Sequence, residues 1–152
     1  MTFPELIQAV RTSPREVVIP ALWGQGRASF GGLVAAMAYE ALQAVTEPGR
    51  PLRSLALTFV GPVEPEVPVS FEAEVLREGK AVSQVFCRGV QNGQVVTLAQ
   101  ASFGLPRESS VQMGALPAPA FKAVDDCQEL PYIRKIMPAF TQHIAMRWAV
   151  GH

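Results

Sequence analysis

The chain has 152 residues, 49% of them apolar and 17% charged, which is enough apolar material for one buried core and rules out a disordered composition. Thirteen Lys and Arg balance 13 Asp and Glu, so the basic surplus of an electrostatic nucleic-acid binder is missing. No apolar run approaches the roughly 18 residues of a membrane-spanning helix, and the start has no basic segment followed by an apolar one; the expectation is a cytoplasmic protein. Cys87 and Cys127 stand far apart and read as reduced thiols, and with only His143 and His152 beside them no metal or other cofactor is expected.

In chain order, Phe3, Leu6, Ile7 and Val10 recur at helical spacing until Pro14 intervenes. The stretch 15–26, REVVIPALWGQG, suits a first strand, although Pro20 weakens its interior. From Phe30 to Val45 the segment predicts a helix that is apolar nearly all round, with only Tyr39, Glu40 and Gln43 polar. Such a helix must be wrapped by other structure. TEPGRP (46–51) ends it with Pro and Gly.

Strand patterns follow. Residues 54–63 place Leu55, Leu57 and Phe59 on one face. Residues 66–76 alternate Val67, Val69, Phe71, Ala73 and Val75 against Glu66, Ser70, Glu72 and Glu74. REGK (77–80) is a turn, 81–90 returns, QNGQ (91–94) holds the Asn-Gly hairpin signal, and 95–105 closes a meander. Residues 106–138 read as a linker, and 139–150 alternate again as a terminal strand that needs a partner in the first sheet or in another chain.

A nearly all-apolar helix wrapped by a curved antiparallel sheet is the hotdog architecture, an α+β class. FGGLVAAMAYEAL and EVLREGKAVSQVFCRGVQNGQVVTLAQASF moreover resemble the helix start and the strand–turn–strand segment of TesB-like acyl-CoA thioesterases (thioesterase II), over about residues 20–105. That resemblance implies a double hotdog. Residues 1–105 would be its first repeat, 106–138 the linker, and 139–152 the first strand of a second repeat, so the chain is expected to be part of a longer protein or a naturally short version. It further implies hydrolysis of acyl-CoA by a water that a carboxylate activates, with oxyanion donors at the helix N-terminus. The family's catalytic Asp, Thr and Gln belong to the second repeat, so this chain is expected to lack the main catalytic residues.

Helix N-termini carry unpaired N–H groups and partial positive charge, and Gly31 and Gly32 would let a thioester carbonyl come close. Gly31, Gly32 and, by internal symmetry with the second repeat, Gln100 are the catalytic candidates; Gln25, Ser29, Leu33, Val34 and Met37 are the candidates for substrate contact. Leu33 stands where the family commonly has Gln. Glu40 is the helix's one acid, two turns from Gly31, and Arg53, Arg77, Lys80 and Arg88 are cations that could meet CoA phosphates. His143 has no evident Asp or Ser partner for a nucleophilic triad. A non-catalytic acyl-binding or assembly module is the competing reading; a hydratase would need a His and an acid at the helix start. An exposed sheet edge predicts pairing, as a homodimer or with a second hotdog repeat.

Overall fold

The computed structural model describes residues 1–150. An N-terminal helix, α1 (Phe3–Thr12), has Pro4 in its first turn, and the Thr2 N–H donates to the Glu5 carboxylate at 2.6 Å. That bond holds the Glu5 carboxyl below its ordinary pKa. The expected first strand is broken up. Only β1 (Val17–Val18) pairs with the sheet; Pro20 then leads into a 3-10 turn, Ala21–Trp23, and a small hairpin of β2 (Gly24–Gln25) and β3 (Ala28–Ser29). Its two-residue turn is Gly26-Arg27, with Gly26 at φ 65°, a conformation that glycine adopts without strain.

The apolar helix is α2 (Gly31–Ala44). Four long strands follow: β4 (Leu52–Phe59), β5 (Pro68–Glu78), β6 (Val82–Gln91) and β7 (Gln94–Gly104). With β1 they form an antiparallel sheet in the order β1-β5-β6-β7-β4. The Asn-Gly turn between β6 and β7 is as expected, with Asn92 at φ 50° and Gly93 at φ 73°. This is the α+β hotdog fold. Leu33, Val34, Met37, Ala38, Ala41 and Leu42 of α2 are buried against Val69, Phe71, Val85, Cys87, Ala99, Ala101 and Phe103 of the sheet, while Leu6 and Val10 of α1 close the opposite side. Each fully buried aliphatic side chain there contributes about 1.5–3 kcal/mol of transfer free energy.

Sheet alternation holds for part of its expected length. Val69 and Phe71 are buried and Ala73 is half-buried, but Val75 is exposed beyond the helix, where a bulge falls between Val75 and Arg77. On β4, Leu55 and Leu57 are half-buried and Phe59 is exposed. β4 is an edge strand, bonded to β7 alone.

The C-terminal segment departs from the expected terminal strand. Ala139–His143 is a 3-10 turn that follows Pro138, and only β9 (Met146–Trp148) is extended. Its partner is β8 (Gln128–Leu130), inside the stretch read as linker, in a two-stranded sheet of their own. Among the described residues the strand thus pairs with β8 and does not rejoin the main sheet. Residues 151 and 152, the end of the expected strand, lie outside the described residues. No helix among the described residues is long and apolar enough to cross a membrane.

Candidate active site at the head of the central helix

The head of α2 has no cap. Phe30 occupies the N-cap position and offers no side-chain acceptor, while its carbonyl takes the N–H of Leu33 at 3.1 Å and of Val34 at 3.2 Å. The amides of Gly31 and Gly32 are left as unpaired donors at the positive end of the helix. Immediately upstream, the Ser29 N–H donates to the Val63 carbonyl at 2.7 Å, which ties β3 to the loop after β4. The Ser29 hydroxyl is buried, with 6% exposure for the residue, and has no hydrogen-bond partner among the described residues. A buried polar group without a partner costs about 1–3 kcal/mol, so its persistence needs a reason.

Ser29 and Gly31 line one cavity of about 390 Å³, together with Gln25, Arg27, Ala28, Val34, Phe59, Gly61, Pro62 and Val63. The loop that forms its far wall is anchored by Gln91. The Gln91 side-chain amide donates to the carbonyls of Glu64 and Val67, each at 2.9 Å, and accepts the Glu64 N–H at 2.8 Å. Glu66, at φ 61°, takes the Ala21 N–H on its carboxylate at 2.7 Å and gives its own N–H to Ile19. Loop 60–67 is therefore fastened both to the sheet and to the chain leading into the helix.

Of the expected site residues, Gln25, Ser29, Gly31 and Val34 come together around this cavity. Gly32 is next to it, with the Phe30 ring lying where a Cβ would be, 2.5 Å away. Leu33 and Met37 are 1% and 0% exposed and belong to the core, because their positions on the helix face α1 and the sheet. Gln100 is not gathered here. Its neighbours Ala99 and Ala101 face the core, so strand alternation turns Gln100 to the exposed side of β7.

The charged candidates also lie elsewhere. Glu40 is bound by Arg11 of α1 at 2.5 Å, nine residues or about 13 Å along the axis from Gly31. Arg88 pairs with Glu72 at 3.0 Å, the Arg53 Nε–H donates to the Gly104 carbonyl, and Arg77 and Lys80 stand at the β5–β6 turn. The His143 ring stacks on Trp23 at 4.1 Å. A larger groove of about 500 Å³, with Arg15, Glu72, Glu74 and Arg88 at its edge, lies at the opposite end of α2 from the unpaired amides. Arg27 and Phe59 are the lining residues that sequence reasoning missed, and the Phe30 ring stands beside the cavity at Gly32. The Gly26-Arg27 hairpin turn was the available signal for Arg27, because a Gly-X pair between short extended segments aims its second residue outward.

Chemically, the cavity has the head of α2 at Gly31 and the buried Ser29 in its lining, with Val34, Phe59, Pro62 and Val63 as apolar wall and Gln25 and Arg27 as polar wall. Among the described residues no Asp or Glu lines it. Among the described residues no cluster of His, Cys, Asp and Glu could hold a metal ion.

Comparison with known proteins places these features in context. Residues 19–104 match the family model of the acyl-CoA thioesterase N-terminal domain. The chain is 30% identical over 91 residues to acyl-CoA thioesterase 2 of Haemophilus influenzae, covering 60% of this chain and 32% of that protein. It is 28% identical over 134 residues to human acyl-coenzyme A thioesterase 8, covering 81% of this chain and 41% of that protein. The chain thus spans less than half the length of these curated relatives. A hotdog-fold protein from Alicyclobacillus acidocaldarius superposes with a TM-score of 0.71 at 24% identity, over 84% of this chain and 47% of its own. An acyl-CoA thioesterase II from Mycobacterium marinum gives 0.56 at 24% identity, over 68% and 43%.

Proposed function

This chain belongs to the acyl-CoA thioesterase N-terminal domain family, and from that premise we propose that it supplies the carbonyl-binding half of an acyl-CoA hydrolase. The observation that carries the reading is that the uncapped helix head at Gly31 lines one cavity together with Ser29, whose buried hydroxyl has no partner among the described residues. The thioester oxygen is taken by the Gly31 N–H and the Ser29 hydroxyl, with the Gly32 N–H beside them. Water adds to the carbonyl carbon, the C–S bond breaks, and the products are a free fatty acid and the CoA thiol. Negative charge that develops on the oxygen is stabilised by donors already in place. Val34, Phe59 and Val63 give the acyl group an apolar wall, and Arg27 at the mouth suits the CoA phosphates.

The base comes from a second hotdog. β4 leaves a strand edge unpaired and ends in Phe59 at the cavity, so a repeat or a second copy added along β4 would bring its own side chains to the site. A cytoplasmic location accords with two reduced thiols. The competing reading, an acyl-binding module without turnover, is favoured by the lack of a carboxylate around the cavity.

The test is a titration of the chain with short and long acyl-CoAs, followed by thiol release under saturating substrate and by sedimentation. Saturable binding that Ser29→Ala weakens, with turnover only in a paired species, supports the proposal. Failure of any acyl-CoA to bind overturns it, and binding without thiol release in any assembled form leaves the acyl-binding module in its place.

A further inference from the structure

Two aromatic rings flank the helix head, and the structure treats them differently. Phe59 lies against Gly31, its ring 3.3 Å from where a Cβ would stand, yet it is 55% exposed and has no ring stacked on it among the described residues. Phe30 lies against Gly32 more closely, and its outer face is covered by Phe140, with ring centroids 4.0 Å apart and planes 2° from parallel. Phe140 arrives from far along the chain on the 3-10 turn Ala139–His143. That turn is seated by contacts of its own. The Thr141 hydroxyl donates to the Pro138 carbonyl at 2.8 Å, the Gln142 amide donates to the Leu22 and Ala139 carbonyls, and His143 stacks on Trp23.

A ring pinned between a helix backbone and a second ring is a fixed wall; a ring exposed on one face yields. We propose that Phe140 is a positioning residue for the site. By stacking on Phe30 it holds that ring beside Gly32, so an acyl group at the helix head extends only toward Ser29 and Phe59, and bulk on the Gly32 side is rejected. This specificity role rests on the acyl-CoA reading above. The positioning of Phe30 by Phe140 does not.

The experiment separates the two. In the full chain, a Gly32 α-proton beneath the Phe30 ring is shifted upfield by its ring current. Phe140→Ala is expected to move the Gly32 signals back toward ordinary values, Phe140→Tyr to leave them in place, and Phe59→Ala to move Gly31 instead. A well-dispersed spectrum of each variant reports that it has folded. Unchanged Gly32 signals in folded Phe140→Ala overturn the positioning. Binding of dodecanoyl-CoA and of 2-methyl-branched dodecanoyl-CoA is then compared. Phe140→Ala is expected to relax discrimination against the branched ligand about tenfold, the scale of one methyl group in an apolar pocket, and Phe140→Tyr to retain it. An unchanged ratio, with Gly32 shifted, overturns the specificity role. If neither ligand binds the unsubstituted chain, the acyl-CoA reading falls and the specificity role with it, while the Gly32 shift still decides the positioning.

Discussion

The Gln91 side chain and the Glu64 backbone exchange both of their hydrogen bonds, Glu64 N–H to Oε1 at 2.8 Å and Nε2–H to the Glu64 carbonyl at 2.9 Å. A side chain at the end of β6 thereby imitates one rung of a sheet for a loop that has no strand beside it. The Val67 carbonyl takes the remaining amide proton, so a residue of only 4% exposure is satisfied in full. Gln91→Ala strips three backbone groups of their partner and is expected to cost about 2–3 kcal/mol. Urea unfolding measures it; a loss below about 0.5 kcal/mol, the scale of an ordinary surface change, would show that water replaces the amide without penalty.

Met37 is 0% exposed at the centre of α2, between the sheet and α1. Met37→Ala should cost about 2–5 kcal/mol, as for other buried large-to-small changes, while Met37→Leu should cost less than about 1.5. If Met37→Ala were as stable as the parent but altered acyl-CoA affinity, Met37 would return to the list of substrate contacts.

Gly31 and Gly32 should respond differently to a single methyl group. At Gly31 the added Cβ meets the edge of the exposed Phe59 ring at 3.3 Å, which can turn away, so Gly31→Ala is expected to change stability by less than about 1 kcal/mol, the helix gain of alanine included. At Gly32 the Cβ would stand 2.5 Å from the pinned Phe30 ring, so Gly32→Ala should cost about 1–3 kcal/mol despite that gain. Thermal unfolding of the two variants side by side checks the order, and a reversed order would mean that Phe30 moves freely.

Cys87 is 1% exposed, and burial followed by the nearby Glu72 charge pushes its thiol from the ordinary 9.0 up to about 12. The folded state then holds the proton more tightly than the unfolded chain does. Its stabilising effect is complete below pH 9.0 and is lost as pH rises from there toward 12. Denaturant unfolding at pH 8 and pH 10.5 should show a stability loss that Cys87→Ala lessens. A slope unchanged in the variant would assign the alkaline loss to other groups.

Glu40 is the one acid within α2; its side chain is 12% exposed and that of its partner Arg11 54%, so the pair bridges two helices with the carboxylate half-buried and the guanidinium in water. Glu40→Gln should lower stability by about 1–2 kcal/mol and leave acyl-CoA binding as it was. A loss of binding without a loss of stability would bring Glu40 back to the chemistry.

How far the sequence reached depended on how local the deciding interaction was. The Asn92-Gly93 turn, the buried face of α2 and the alternation of Val69 and Phe71 are set by residues within a few positions of one another, and these were legible. The segment Ala139–His143 was not. Over five residues a period of two and a period of three look alike, and what settles this one is Pro138 together with distant Phe30 and Trp23. Similarly, Glu40 reads from the sequence as a solvated or edge residue out of reach of Gly31, and nothing nearby in sequence reveals Arg11 as its partner. At the site, Ser29, Gln25 and Gly31 were within reach because they precede or open the helix, whereas Phe59 and the loop anchored by Gln91 are joined to them only by the folded sheet.

The strand order β1-β5-β6-β7-β4 also bears on how the molecule is assembled in time. β5, β6 and β7 follow one another through tight turns and can zip as successive hairpins on a microsecond scale. β4 precedes all three in the chain yet pairs only with β7, so its pairing closes a longer loop than either hairpin does and is expected to be slower. As an edge strand bonded on one side it is expected to join late and fray early. Phe59 sits at the end of that strand, so the mouth of the cavity is finished late. Amide hydrogens of β4 would therefore exchange sooner than those of β6, and a molecule seated against Phe59 would reveal itself by slowing them.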